Sequence, residues 1–249
     1  MSIYERTEML LGRDAVMKLH ESKVAVFGAG GVGGHAIEAL ARAGVGEITI
    51  IDGDTVAESN LNRQLFAVVS TIGIPKVDAA EMRIHDAAPD CRVIKKYEFY
   101  LPDSDFDFTK YDYVVDAIDT VAGKLSIIKL CYDAKIPVIS AMGAGNKLDP
   151  TKFVVTDIYK TSVCPLAAVM RRELRRRGVG SCRVVYSTEP ARTPKFQPEP
   201  DIPTEDSDAT AAPPRRRNTP ASNSFCPGVC GLIIAGEVIR DLTKEFIVE

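Results

Sequence analysis

Tryptophan is absent from the 249-residue sequence, histidine occurs only three times, and no apolar run approaches the length of a membrane span. Such a span needs about 20 consecutive apolar residues. Residues 1–6 are followed by charged residues and not by an apolar stretch, so no secretory signal is expected. Without such a signal, the six cysteines are expected to be reduced thiols. We therefore expect a cytoplasmic protein without a membrane partner.

Cysteine spacing also argues against a structural zinc site. The one close pair, Cys226 and Cys230, is separated by three residues, and no second pair supplies the other two ligands. We therefore expect no zinc, and we expect both cysteines to be small apolar residues at the start of the last helix. Cys182 and Cys226 are weak candidates for a catalytic nucleophile.

Overall composition and charge are those of an ordinary globular protein. Hydrophobic residues make up 45% of the chain, and the formal net charge is −3. An acidic chain has no global attraction for nucleic acid, so any such binding must be local. The length favours one α/β domain over residues 1–249.

A glycine-rich motif between two short apolar runs organises the chain. Residues 24–27 and 48–51 have the composition of buried parallel strands, and the helical pattern between them ends at Gly44. This order, with Asp52 after the second strand, is typical of a nucleotide-binding unit in which a helix N-terminus faces phosphate and the acid holds ribose. A turn that serves packing alone is the alternative. The motif glycines are Gly28, Gly30, Gly31 and Gly33.

The residues after the second strand decide which nucleotide is expected. The series Asp-x-Asp-x-Val, Ser-Asn-Leu-x-Arg-Gln and Gly-x-x-Lys over residues 52–76 resembles the adenylate-forming superfamily of ubiquitin-activating enzymes and the bacterial proteins that activate sulfur carriers. The resemblance implies ATP rather than NAD, with Arg63 and Lys76 on the phosphates and Mg²⁺ on Asp119 as the catalytic groups. Either cation taken alone could be a solvated surface charge. The residues implied to contact the nucleotide beyond the glycines are Asp52, Asp54, Asn60, Arg63, Gln64, Lys76 and Asp119.

The same resemblance implies a homodimer. In that superfamily an arginine before the first strand reaches the ATP of the partner subunit. Arg6 is the candidate for this role, and Arg13 is the second choice. The alternative, which is equally open, is that Arg6 and Arg13 are exposed charges on a helix and have no such role.

Strand and helix patterns alternate over the rest of the chain. This alternation predicts a Rossmann-like, doubly wound α/β fold with a mainly parallel sheet and helices on both faces. Predicted helices cover residues 4–20, 77–88, 124–134, 165–178 and 231–242. Predicted strands after the second cover residues 93–99, 113–116, 138–141, 152–159 and 183–187.

Residues 191–224 break this alternation. More than half of the 15 prolines lie between Pro190 and Pro220, among several acidic residues and the run Arg215–Arg217. Because such a composition cannot bury a core, we expect a mobile Pro-rich loop within the domain.

A local basic stripe lies on the helix predicted at residues 165–178. Leu166, Met170 and Leu174 share one side of this helix at about 100° per residue, and the arginines fall on the other side. On an acidic chain, this cluster favours binding to phosphates over a merely solvated face. The arginines expected to make these contacts are Arg171, Arg172, Arg175 and Arg176.

Residues 156–190, together with the motifs above, resemble the bacterial tRNA threonylcarbamoyladenosine dehydratases. In that family ATP activates the carboxylate of a threonylcarbamoyl group on a tRNA adenosine, and the carbamoyl group closes onto the activated carbonyl with release of AMP. The resemblance implies tRNA as the substrate and admits a sulfur-transfer protein as a further partner. An adenylating enzyme for a ubiquitin-like sulfur carrier is the alternative, disfavoured by the missing zinc pairs and the arginine stripe. A nucleotide-binding regulatory protein is disfavoured by the presence of Arg63, Lys76 and Asp119.

Overall fold

A computed structural model of the chain describes residues 3–196 and 220–246. In this part of the chain, seven strands form one sheet in the order β3-β2-β1-β4-β5-β7-β6. All neighbouring pairs are parallel except β6 and β7. The strands are β1 Lys23–Phe27, β2 Glu47–Ile51, β3 Arg92–Lys96, β4 Tyr113–Asp116, β5 Val138–Ala141, β6 Phe153–Asp157 and β7 Arg183–Ser187. The helices are α1 Glu5–Leu11, α2 Arg13–Glu21, α3 Gly33–Ala43, α4 Lys76–Ala87, α5 Val121–Ala134, α6 Pro165–Arg176 and α7 Cys226–Thr243.

Helices cover both faces of the sheet, because successive side chains of a strand point to opposite sides. Val24 and Val26 of β1 belong to a core with α3, α4 and α7, whereas Ala25 and Phe27 pack with α5. A third cluster joins α6 to α5 and β7. The predicted Rossmann-like, doubly wound fold with a mainly parallel sheet is confirmed.

The single helix predicted over residues 4–20 is wrong. Gly12 separates α1 from α2 with a φ of 89° and a ψ of 155°, a conformation that glycine adopts more readily than other residues. The α2 helix buries Val16 and Leu19, whereas no residue of α1 is buried against the described part of the chain. Met9 and Leu10 are therefore left almost fully exposed on α1.

Three other predicted boundaries differ from the structure by three residues or more. The strand predicted to reach residue 99 ends at Lys96, because residues 98–101 leave the sheet and line a cavity at its edge. The α5 helix begins at Val121, so Lys124 lies within it rather than at its start. The α7 helix begins at Cys226, where the Asn223 side chain accepts a hydrogen bond from the Cys226 N–H over 2.8 Å.

The predicted Pro-rich loop lies only partly within the described residues. Residues 191–196 and 220–225 contain no regular helix or strand up to the start of α7. Residues 197–219, which include the run Arg215–Arg217, lie outside the described residues. Across ranges 3–196 and 220–246, no helix is both long enough and apolar enough to span a membrane.

Candidate nucleotide-binding site

A cavity of about 710 Å³ lies at the carboxyl ends of β1, β2 and β4. The connections reverse direction at this point, because β2 lies on one side of β1 and β4 lies on the other. Open α/β sheets bind their ligands at such a switch point, and small-molecule sites typically measure about 300–1,000 Å³. Most of the residues predicted to contact the nucleotide line this cavity; Gly33 and Arg6 do not.

The glycine turn brings bare backbone to the cavity wall. Gly28 has a φ of 92°, and a Cβ atom there would lie 2.8 Å from the carbonyl oxygen of Ala117. A Cβ atom at Gly33 would lie only 1.8 Å from the carbonyl oxygen of Gly28, so Gly33 permits the close approach of α3 to the turn. Gly30 and Gly31 line the cavity themselves. The N-terminal end of α3 is thus open to an anion.

Asp52 is held in place by the turn that follows β2. One carboxylate oxygen accepts a hydrogen bond from the backbone N–H of Ala29 over 2.7 Å, and the other accepts from the N–H of Asp54 over 2.9 Å. A carboxylate oxygen can accept more than one hydrogen bond. Asp52 can therefore accept further bonds from hydroxyl groups within the cavity.

Lys76 lies at the first position of α4 and is almost fully buried at the cavity wall, with 6% of the residue exposed. Its Nζ atom lies 2.6 Å from Oδ2 of Asp54, and both residues line the cavity. An ammonium group has three donors, so Lys76 can contact a phosphate while it remains bonded to Asp54.

Three further predicted residues lie at the end of the 3₁₀ turn Glu58–Asn60 or in the segment directly after it. Asn60 accepts a hydrogen bond from the backbone N–H of Ala57 over 3.1 Å, which fixes the turn. Arg63 donates to the Ser59 carbonyl oxygen over 2.7 Å and to the Asn62 side-chain oxygen over 2.9 Å, which leaves the rest of its five donors for a ligand. Gln64 is buried at the same wall of the cavity.

Asp119 lies three residues beyond β4, with its side chain exposed at the cavity. Nowhere in the described ranges do three or more His, Cys, Asp or Glu side chains cluster to hold a metal ion. Mg²⁺ commonly binds one or two carboxylates and takes its other ligands from phosphates and water. The single carboxylate at Asp119 fits that type of metal site.

The sequence prediction missed part of the cavity wall. Residues 98–101, which follow β3, line it, and so do Ala144 and Gly145 beyond β5. Pro220, Ser222 and Pro227 close it on the side of α7. The available signal was topological, because the carboxyl ends of parallel strands lie at one edge of the sheet.

Arg6 lies away from the cavity of its own chain. It lines a separate groove of about 710 Å³ between α1, β6 and α7. The alternative candidate, Arg13, is exposed and lies 4.0 Å from Glu8. Neither arginine therefore contributes to the nucleotide cavity of its own chain.

The arginines of α6 do not form the uniform free stripe that the helical pattern suggested. Arg171 donates to the Thr161 carbonyl oxygen over 2.9 Å, and the guanidinium of Arg175 lies 5.1 Å from the centre of the Tyr159 ring. Arg172 and Arg176 remain exposed, although each is paired with Glu173. The hydrophobic side of the helix is as predicted, since Met170 and Leu174 are fully buried and Leu166 packs against the same cluster.

Burial argues against the two candidate nucleophilic cysteines. Cys182 and Cys226 are both buried, and neither lines the nucleotide cavity. Burial, followed by the nearby carboxylates of Asp116 and Asp157, raises the pKa of Cys182 to about 12. Burial also raises the pKa of Cys226. A thiol with a raised pKa is a poor nucleophile at neutral pH.

The fold and the cavity define a nucleotide-binding α/β domain with an adenylation-type arrangement of a glycine turn, an acid, an arginine and a lysine. The chain belongs to the ThiF family, whose family model matches residues 4–247. It is 43% identical over 245 residues to the tRNA threonylcarbamoyladenosine dehydratase of Bacillus subtilis. This alignment covers 97% of this chain and 95% of that protein. The predicted family resemblance is confirmed.

Solved structures give the same relationship. The chain matches the crystal structures of the Escherichia coli tRNA N6-threonylcarbamoyladenosine dehydratase in complex with AMP and in complex with ATP. Each match has a TM-score of 0.81 and 31% identity, and covers 97% of this chain and 94% of that chain. A similarity to the adenylyltransferase and sulfurtransferase UBA4 of Vanderwaltozyma polyspora, 40% identical over 138 residues, covers only 55% of this chain and 31% of that protein.

Proposed function

We propose that the protein catalyses the ATP-dependent cyclisation of N6-threonylcarbamoyladenosine in tRNA, which is a net dehydration. One observation carries this proposal. The cavity combines an open glycine turn with Asp52, Arg63, Lys76 and Asp119, in a chain that aligns with the Bacillus subtilis dehydratase over 97% of its length. The ATP and AMP complexes of the Escherichia coli relative support ATP as the nucleotide.

Adenylation makes the cyclisation feasible, because a carboxylate oxygen is a poor leaving group and AMP is a good one. The substrate carboxylate attacks the α-phosphorus of ATP, and pyrophosphate leaves. The carbamoyl group of the same side chain then attacks the acyl carbon, loses a proton and displaces AMP, which carries away one carboxylate oxygen. Since both reacting groups belong to one side chain, their effective molarity is high. No protein nucleophile is required, which agrees with the burial of Cys182 and Cys226.

Within the cavity, Arg63 and Lys76 would neutralise the negative charge that develops on the phosphoryl oxygens. Lys76 is oriented for this role by its contact with Asp54. Asp52 would hold the ribose, and Gly30 and Gly31 would let the backbone approach the phosphates.

Asp119 would hold Mg²⁺ in the nucleotide complex. The exposed single carboxylate at the cavity fits this role, since the phosphates would supply further oxygen ligands. The ion would supply charge neutralisation at the α-phosphate and the departing pyrophosphate.

Adenylation of a ubiquitin-like sulfur carrier is the competing function. It is disfavoured because the similarity to UBA4 covers little more than half of this chain, whereas the similarity to the Bacillus subtilis dehydratase extends along almost all of it. A sulfur-transfer protein as a further partner stays a prediction from the family resemblance.

The proposed function is tested by incubating the protein with ATP, Mg²⁺ and tRNA that carries threonylcarbamoyladenosine. After digestion, mass spectrometry of the nucleosides should detect the loss of one water from that nucleoside, only when ATP is present. An intact nucleoside, together with ATP-dependent adenylation of a sulfur-carrier protein, would instead support the competing function.

A homodimer is proposed from the groove between α1, β6 and α7. Leu10, which lines this groove, has 83% of its surface exposed, and the neighbouring Met9 has 82%. Exposed apolar side chains beside a groove of this size are typical of a protein contact surface. Arg6 lies in the same groove, so a second copy bound there would bring Arg6 of one subunit toward the other subunit.

We expect two inactive variants to complement each other if Arg6 acts across the dimer. Subunits carrying Arg6→Ala and subunits carrying Asp119→Ala should each be inactive, yet a mixed dimer contains one site with both wild-type residues. Mixing the two variants should therefore restore a fraction of the activity. Light scattering should show dimers, and Leu10→Glu should shift them to monomers, whereas Met82→Glu on α4 serves as an exposed control. A wild-type monomer at micromolar concentration would contradict the proposal.

The exposed arginines of α6 are proposed to bind tRNA phosphates. The side chains of Arg172 and Arg176 are 62% and 69% exposed, so they can reach a ligand. Arg171 is hydrogen-bonded to Thr161, and Arg175 lies over the ring of Tyr159. These two arginines therefore orient the helix relative to the neighbouring turn. Phosphate binding is therefore assigned mainly to Arg172 and Arg176.

Replacing Arg172 and Arg176 with alanine should weaken tRNA binding and lower the slope of log affinity against log salt by about one for each phosphate that is no longer bound. Glu173→Gln should instead strengthen tRNA binding, because it removes the acid that competes with tRNA for both arginines. Filter binding over a salt series measures both effects, and calorimetry should show unchanged ATP affinity. Wild-type affinity and slope in the double variant would refute the phosphate-binding role.

A further inference from the structure

A lysine is buried beneath the loop that carries Asp119. Lys124, in the first turns of α5, has only 1% of its side chain exposed, and its Nζ atom lies 3.0 Å from Oδ2 of the fully buried Asp116. The same ammonium group donates to the Ala141 carbonyl oxygen over 2.7 Å. Ser140 donates to the same oxygen of Asp116 over 2.5 Å. One ammonium group therefore connects α5 to the carboxyl ends of β4 and β5.

This arrangement is an inefficient way to stabilise a core. Removing a carboxylate and an ammonium group from water is unfavourable, and apolar residues of similar volume often stabilise a protein at least as well. Moreover, Oδ1 of Asp116 is the one buried side-chain oxygen or nitrogen within the described ranges that has no hydrogen-bond partner. A buried oxygen without a partner requires an explanation, and a functional role is one of the recognised ones.

The ion pair closes a short loop at the edge of the nucleotide cavity. Asp116 is the last residue of β4, Lys124 lies eight residues later, and Asp119 lies between them. On the other side, the N–H of Ala117 donates to the Phe27 carbonyl oxygen over 2.9 Å, directly before the glycine turn. Asp119 is exposed at the cavity, so the loop ends are fixed while the carboxylate itself is free to bind a ligand.

We propose that Lys124 is a positioning residue. Its ion pair with Asp116 fixes the position of Asp119 relative to the glycine turn. The inference rests on the proposed function only in so far as Asp119 binds Mg²⁺ with ATP. Lys124 itself does not line the cavity.

Lys124→Met should lower kcat for tRNA dehydration by about 100-fold, since displacing a reacting group by about 1 Å costs on the order of 10²-fold in rate. It should also raise the Mg²⁺ concentration required for half-maximal ATP binding, which calorimetry measures without tRNA. Lys129→Met is the matched control, because Lys129 lies on the same helix and pairs only with Asp133 at the surface. This control should leave kcat and the Mg²⁺ dependence unchanged.

Two double variants separate positioning from stability. Asp116→Asn combined with Lys124→Met removes both buried charges, so it should fold at least as well as Lys124→Met while kcat stays low. Asp119→Asn combined with Lys124→Met should be no slower than Asp119→Asn alone, because the positioning residue has nothing left to position.

Each result bears on the proposal. A wild-type kcat and a wild-type Mg²⁺ dependence in the folded variants would overturn it, as would fully additive losses in the combination with Asp119→Asn. If the wild-type protein does not dehydrate tRNA, the proposed function fails, but the Mg²⁺ dependence of ATP binding still tests Lys124.

Discussion

Asp119→Ala is expected to reduce tRNA dehydration by about 10²–10³-fold or more, as is typical when a group that stabilises transition-state charge is removed. Asp119 is an exposed carboxylate at the cavity, where it can bind the metal ion together with the nucleotide phosphates. The rate of nucleoside dehydration, measured by mass spectrometry at saturating ATP, checks this expectation.

The fold of the Asp119→Ala variant should be intact, because the exposed side chain contributes little to packing. Thermal unfolding should therefore be close to that of the wild type. Asp86→Ala is a suitable control, since Asp86 is exposed on α4 and does not line the cavity. Unchanged turnover in Asp119→Ala would remove the metal-binding role from this residue.

Gly33→Ala is expected to damage both folding and ATP binding. The added Cβ would lie 1.8 Å from the carbonyl oxygen of Gly28, so the glycine turn and the start of α3 must move apart. Overpacking commonly costs about 1–3 kcal/mol, and a clash with backbone should fall at or above the upper end. Calorimetry should detect no ATP binding, and thermal unfolding should occur at a clearly lower temperature.

Two neighbouring glycines serve as controls for Gly33→Ala. At Gly34 the added Cβ would lie 3.4 Å from the ring of Phe66, so Gly34→Ala should fold and bind ATP. At Gly30 the nearest atom is the Gln64 side-chain nitrogen at 3.8 Å, so Gly30→Ala should fold but weaken ATP binding by filling the backbone face of the cavity. Normal ATP affinity in Gly33→Ala would contradict the assigned role of the turn.

Local signals made the nucleotide-binding half of the fold predictable. The apolar runs of β1 and β2 and the stop at Gly44, which has a φ of 104°, depend on residues adjacent in sequence. Gly12 was not recognised as a break, because a single glycine within a helical pattern costs only about 1 kcal/mol and is often tolerated. The pattern on either side of Gly12 is compatible with one helix.

Contacts between distant segments were not predictable from the sequence. Lysine is almost never fully buried unless paired, and Lys124 finds its partners Asp116 and Ser140 on two different strands. Likewise, the helical pattern placed Arg171 and Arg175 on the polar side of α6, but their contacts with Thr161 and Tyr159 depend on tertiary packing.

Site residues that belong to a sequence motif can be predicted to share one cavity, whereas cavity residues outside a motif cannot. Arg63 and Lys76 belong to the series after Asp52, and the structure brings them to the same wall. Residues 98–101 carry no motif and reach the cavity only because β3 lies beside β2 in the sheet.

In the proposed reaction, ATP activates the substrate carboxylate as an acyl adenylate. The most direct test of this step uses tRNA whose threonylcarbamoyl carboxylate carries a heavy-oxygen label. After one turnover, mass spectrometry of the released nucleotide should find one labelled oxygen in AMP and none in pyrophosphate. Label in inorganic phosphate with formation of ADP, or unlabelled AMP alongside a dehydrated nucleoside, would contradict the adenylate.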